Sequence, residues 1–222
     1  MIINYKAILF GSIGTLVETS ELQRRAFNKA FSDAGLDWNW NPEEYQHLLA
    51  KSGGCARIQD FATRRGIDVE AEQLHKQKTK IFDSLMTKET ISLRPGVSSL
   101  IGYALDNSLP LAFVTSTSEA NIDAIFFALK GQVKRSDFSF IGNDMMVSNP
   151  KPNPEIYLKA LSYLHLEAKD CIAIEDTEIS MQAALAAEIK CIGFPGVFSK
   201  DNDFSGAVLI TDNISTNNLV NF

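Results

Sequence analysis

The chain has 222 residues, 45% of them hydrophobic and 22% charged, with a net charge of -6. This is enough chain for a sizeable core in one domain or two small ones, and its acidic balance offers no general basic field, so nucleic acid and membrane surfaces are not expected as partners. Three cysteines, Cys55, Cys171 and Cys191, are widely spaced and lack a C-x-x-C pair, which argues against a disulfide framework or zinc site and for reduced thiols in a cytoplasmic protein.

The first apolar run ends at Gly11, too short for a signal peptide or a membrane helix, and residues 6–10 read instead as a buried strand. A Gly/Ser/Thr turn follows, Gly11-Ser12-Ile13-Gly14-Thr15, of the kind whose backbone N–H groups can converge on an anion, but it holds no carboxylate until Glu18. From Thr19 to about Lys88 the strand signals stop. Leu22, Ala26, Phe27, Ala30 and Phe31 form one helical stripe, and Glu43–Ala50 and Ala56–Arg65 are compatible with further helices. Leu93-Arg94-Pro95-Gly96-Val97 marks the return to strands and a helix start, so the chain crossings near 16–20 and 88–94 are expected to form a hinge.

Beyond the return, Leu111–Thr115, Cys171–Ile174, Cys191–Phe194 and a weaker Val208–Ile210 repeat the short apolar pattern. Helical faces alternate with them: Ile122, Ile125, Phe126 and Leu129 after Ser118, then Ile156, Ala160, Leu161 and Leu164 after Pro154. Alternation of this kind implies an α/β fold with a doubly wound parallel sheet, whose functional crevice lies at the carboxyl ends of the strands. The Asn/Ser/Thr-rich tail from Thr211 to Asn221 reads as a surface ending.

Three groups of residues at those strand ends can carry chemistry. Thr115 and Ser116 place hydroxyls beside a helix N-terminus, as a phosphate oxygen requires, although Ser and Thr also favour that position simply as caps. Lys151 is framed by Pro150, Pro152 and Pro154, which makes it a positioned charge or, more simply, a solvated loop lysine. Glu175 and Asp176 suit a hard cation such as Mg²⁺, while Asp176 could equally cap the next helix.

In this order and spacing, AILFxxxGTLVET, VTSTS, KPNPEIY and IEDTxxSxxAALAA resemble the four motifs of the haloacid dehalogenase-like superfamily, over nearly the whole chain. RRAFNKAF, GLDWNW, SGGCARI and LRPGV resemble more narrowly its CbbY-type sugar phosphatases, related to β-phosphoglucomutases. The resemblance implies a Rossmann-like core over 1–17 and 90–222 with an inserted all-helical cap over 18–89. It also implies phosphate contacts from Thr115, Ser116 and Lys151, and substrate contacts from Arg24, Gly53, Gly54 and Arg57 in the cap. Mg²⁺ is the implied cofactor, with Glu175, Asp176 and the Ile13 backbone carbonyl as its oxygens and a small phosphorylated metabolite as the ligand; a monomer is expected.

The chain departs from the family at the chemistry. The first motif is D-x-D-G-T, whose first Asp attacks phosphorus and binds metal while the second is the general acid and base. These positions are Gly11 and Ile13 here, so neither function has a side chain, and metal affinity should fall with the lost carboxylate. Ser12 is not expected to substitute, because it would need an activating base of its own. Gln23, Ser180 and Glu188 also depart from the pattern. Glu188 stands where glycine is expected just past a helix end, a position that is often left-handed. The expected function is that of a catalytically impaired phosphatase homologue still able to bind phosphate esters. The alternatives are an active Mg²⁺-dependent phosphosugar phosphatase using another route, and a non-catalytic interaction protein.

Overall fold

The computed structural model describes residues 4–49 and 53–220, which divide into two compact units, Met1–Glu18 with Ile91–Phe222 and Thr19–Thr90. The first is built on strands β1 (Ala7–Phe10), β2 (Leu111–Phe113), β3 (Phe140–Ile141), β4 (Cys171–Glu175), β5 (Lys190–Gly193) and β6 (Leu209–Ile210). Every strand pair is parallel, in the order β3-β2-β1-β4-β5-β6. The central strands β1, β2 and β4 are buried along their whole length, which is why they read as unbroken apolar runs rather than alternating ones.

Helices α1 (Ile13–Leu16), α6 (Val97–Asp106), α7 (Glu119–Ala128), α8 (Glu155–Leu164) and α9 (Glu178–Ala186) complete this unit, and the four intervening helices belong to the other. Leu9, Ala112, Ala173 and Cys191 of the sheet share one buried cluster with Ile156, Tyr157 and Ala160 of α8 and Met181 and Ala184 of α9. Phe138 packs between the rings of Phe10, Phe113 and Phe126. The two crossings meet where Val17 bridges Leu93 and Arg94 N–H donates to the Leu16 carbonyl at 2.8 Å.

The sequence expectation of five strands misses β3. Two residues are too short for any periodic signal, yet Phe140 and Ile141 pair with Ala112 and Phe113 at the sheet edge. The tail also differs from a plain surface ending. Ile214 is fully buried, its N–H donates to the Pro95 carbonyl at 3.1 Å, and Leu219 is buried as well. Glu188 takes φ 61, directly after the Ala187 cap of α9, as its place in the sequence suggested.

The second unit is helical: α2 (Ser20–Asp33), α3 (Pro42–Leu48), α4 (Gly54–Arg65) and α5 (Ala71–Lys88). Helix α5, with buried Leu74, Phe82 and Met86, is the long element that the apolar pattern did not single out, and Ala50 of the expected α3 span lies outside the described residues. Its core is aromatic, with Trp40 at 4.8 Å from Phe27, 4.7 Å from Phe31 and 5.3 Å from Phe61 between ring centroids. Asn28 clamps the Trp40 backbone in both directions, accepting from its N–H at 2.8 Å and donating to its carbonyl at 2.9 Å. Among the described residues no helix is long and apolar enough to cross a membrane.

Candidate functional site

Strand register brings the core residues together. Phe10 pairs with Ile174, so the chain leaves β1 at Gly11 beside Glu175 at the end of β4, with the Gly11 N–H on the Ile174 carbonyl at 3.0 Å. Glu175 is fully buried. Its Oε1 accepts from Lys151 Nζ and from the Tyr157 hydroxyl, both at 2.6 Å. Lys151, itself buried, donates a second bond to the Gly11 carbonyl at 2.5 Å, so the proline-framed lysine is a positioned charge rather than a solvated one. Loss of hydration raises the carboxyl of Glu175 above the ordinary range despite the neighbouring ammonium and phenol, and burial also pushes the Tyr157 hydroxyl well up.

Position 11 is also closed to any larger residue. A Cβ built there would fall under 3.0 Å from Oε1 and Cδ of Glu175 and from the Tyr157 hydroxyl. The carboxylate of Glu175 stands in the space that any side chain at position 11 needs. Ile13, at the other motif position, opens α1 with its carbonyl accepting from Val17 N–H at 2.9 Å.

Asp176 is not a helix cap; that role falls to Thr177, whose hydroxyl accepts from Ser180 N–H at 3.3 Å. Asp176 instead accepts the Ser12 hydroxyl at 2.6 Å, so Ser12 has the proton acceptor that the sequence did not reveal. Burial raises the Asp176 carboxyl, opposed by the Ser12 bond and by the charges of Lys151 and Arg94. On the neighbouring strand end, Thr115 is buried and its hydroxyl accepts from Thr117 N–H at 3.2 Å, and Ser118 caps α7 by accepting from Asn121 N–H at 3.4 Å. Ser116 is the half-buried hydroxyl left over, with no hydrogen bond to the protein among the described residues.

The oxygens expected to hold Mg²⁺ are largely engaged by the protein itself. Among the described residues no group of three or more His, Cys, Asp or Glu side chains gathers in a way that could hold a metal. Of the oxygens expected as ligands, Glu175 Oε1 accepts from Lys151 and Tyr157, Asp176 Oδ1 from Ser12 and the Ile13 carbonyl from Val17, while Glu175 Oε2 is buried without a partner.

Two residues that hold this site went unread in the sequence. Tyr157 lies three residues past Pro154, where the pattern shows only a helix. Arg94, in the Arg-Pro-Gly return, donates to the carbonyls of Gly14, Phe194 and Pro195, each at 2.7 Å, and stacks 3.5 Å from the Phe194 ring centroid. It thereby ties the turn after β1 to the loop after β5.

In the helical unit, Gly53 caps α4 with φ 93, which only glycine adopts cheaply, and a Cβ at Gly54 would meet the His75 ring. Arg57 is buried, donating to the Leu48 carbonyl at 2.8 Å with its guanidinium 5.8 Å from the ring centroids of both Phe27 and Tyr45. Lys78, unread in the sequence, lies 4.8 Å from the Phe27 centroid and donates to Gln23, and burial followed by the Arg57 charge lowers its pKa to about 8. Both cations thus share the Phe27 ring. Arg24, expected as a phosphate contact, is tied to Glu21 at 2.6 and 2.8 Å and to the Trp40 carbonyl at 2.6 Å.

A family model for haloacid dehalogenase-like hydrolases matches residues 8–194. Protein CbbY of Cereibacter sphaeroides is 38% identical over 213 residues, which cover 95% of this chain and 93% of that protein. The crystal structure of CbbY from Rhodobacter sphaeroides in complex with phosphate is 39% identical, with a TM-score of 0.87 over 94% of each chain. A mutant of that protein in complex with xylulose-(1,5)bisphosphate matches equally well, at 39% identity and TM-score 0.87 over 94% of each chain. A match that spans both units and nearly the full length of its relatives leaves one conclusion: the chain belongs to the haloacid dehalogenase-like hydrolase family, and within it to the CbbY type.

Proposed function

We propose that this chain binds a phosphorylated sugar of the kind its CbbY relatives bind, but does not hydrolyse it. The observation that supports this reading is the state of position 11: no nucleophile is present and its space is taken by Glu175 and Tyr157. Removing the nucleophile of a covalent enzyme costs about six orders of magnitude in rate, and Ile13 leaves the alcohol without an acid to protonate it. What remains serves binding. Lys151 has a third N–H beyond its two protein bonds, and among the described residues Ser116 has an uncommitted hydroxyl.

The test is a phosphatase assay with Mg²⁺ on p-nitrophenyl phosphate and on sugar bisphosphates, run beside calorimetric titration of the same sugar phosphates. Binding without turnover above buffer is the expected result, while turnover abolished by Asp176→Ala would refute the impairment. One observation favours a second reading, slow turnover by a non-standard route, namely the Ser12 hydroxyl bonded to Asp176. That reading requires Ser12→Ala to remove whatever turnover the unmodified protein shows.

A further inference from the structure

We propose that the core site takes a tetrahedral oxyanion without a divalent metal, because Glu175, held by Lys151 and Tyr157, fills the place of the absent side chain at position 11. The inference rests on the binding reading above and adds what the site requires for it.

Three observations converge. The first is volume: Glu175 Oε1 and the Tyr157 hydroxyl lie where a position-11 side chain would stand, and Oε1 is committed to the Lys151 ammonium and the Tyr157 hydroxyl. The second is charge. Against the family motif, two carboxylates are missing at Gly11 and Ile13, and together they would carry the same charge that a divalent ion offsets. Without metal, Lys151 with Glu175 and Asp176 therefore presents an incoming anion with the same formal charge as a complete metal-loaded site. The third is donor supply. The Lys151 ammonium is fixed by two short bonds, which leaves its last N–H a single direction, and the Ser116 hydroxyl is uncommitted among the described residues. Glu175 Oε2 is buried without a partner, so the carboxylate also has an acceptor free for a ligand hydroxyl or a protonated phosphate oxygen.

The experiment is isothermal titration calorimetry of the full chain with inorganic phosphate, in buffer containing a chelator and again in buffer containing Mg²⁺, with Mg²⁺ alone as a separate titrant. Phosphate affinities that agree within about twofold, and no heat from Mg²⁺ alone, are expected. Binding of Mg²⁺ alone, or phosphate bound at least about tenfold more tightly with Mg²⁺, overturns metal independence and leaves the binding reading standing. Phosphate binding in neither buffer overturns both. Glu175→Gln keeps the side-chain size, frees Lys151 of its counter-charge and should tighten phosphate binding roughly tenfold; a folded Glu175→Gln protein that binds phosphate more weakly also overturns the proposal.

Discussion

Gly11→Ala, the smallest side chain that can be added at position 11, should be costly. Its Cβ would enter the space of Glu175 Oε1 and Cδ and of the Tyr157 hydroxyl, all under 3.0 Å away. Glu175 has no solvent to retreat into, being fully buried and bonded to Lys151 and Tyr157. Overpacking a closed site costs about 1–3 kcal/mol, and weakening a hydrogen bond to a charged group adds about 1.5 kcal/mol or more. A destabilisation of about 3 kcal/mol is therefore expected, a fall in Tm of about 6–12 °C for a chain of this size. Differential scanning calorimetry measures it, and a double-mutant cycle isolates the cause. In a Glu175→Ala background the space is open, so Gly11→Ala should there cost under about 1 kcal/mol, an interaction energy of about 2 kcal/mol. A Gly11→Ala protein within about 0.5 kcal/mol of the unmodified one, or an equal cost in both backgrounds, would refute the packing argument. The same crowding means that Gly11→Asp with Ile13→Asp adds two carboxylates without clearing Glu175, so the pair should not by itself raise turnover in the phosphatase assay.

Arg94→Met leaves the carbonyls of Gly14, Phe194 and Pro195 without their shared donor, and thermal melting should show a loss of about 3–5 kcal/mol. Arg94→Lys should recover only part of it, since an ammonium cannot reproduce the planar fork and the stacking on Phe194. Glu188→Gly relieves a non-glycine residue at φ 61 and should stabilise the chain by about 1 kcal/mol in urea unfolding. Lys78 sets a pH dependence in the helical unit. Below about pH 8 both folded and unfolded states hold its proton and the burial penalty is complete, whereas between about 8 and the ordinary 10.5 only the unfolded state does. Stability should therefore rise with pH across that window, read by the fluorescence of Trp38 and Trp40, and Lys78→Met should remove the rise.

How much of this was legible in the sequence depends on distance along the chain. The strands β1, β2, β4 and β5 announce themselves because burial on both faces leaves a local apolar run, and Lys151 does so because three prolines frame it. Phe140 and Ile141 give no such signal, because a two-residue edge strand is defined by its partner. Arg94 and Tyr157 stayed hidden for a related reason, since their acceptors at Phe194, Pro195 and Glu175 lie far off in sequence and are brought near only by the fold. Position 11 shows the limit most clearly. The sequence displays the absence of an aspartate, but an absence in a packed interior is also a volume and a charge to be accounted for. Interiors do not keep such voids, and a buried ammonium such as Lys151 requires a counter-charge. Register then decides which residue answers both demands: with Phe10 beside Ile174, the next residue of β4 is Glu175. The glycine at position 11 and the inward placement of Glu175 are thus one structural arrangement, and a change at either residue must be felt at the other.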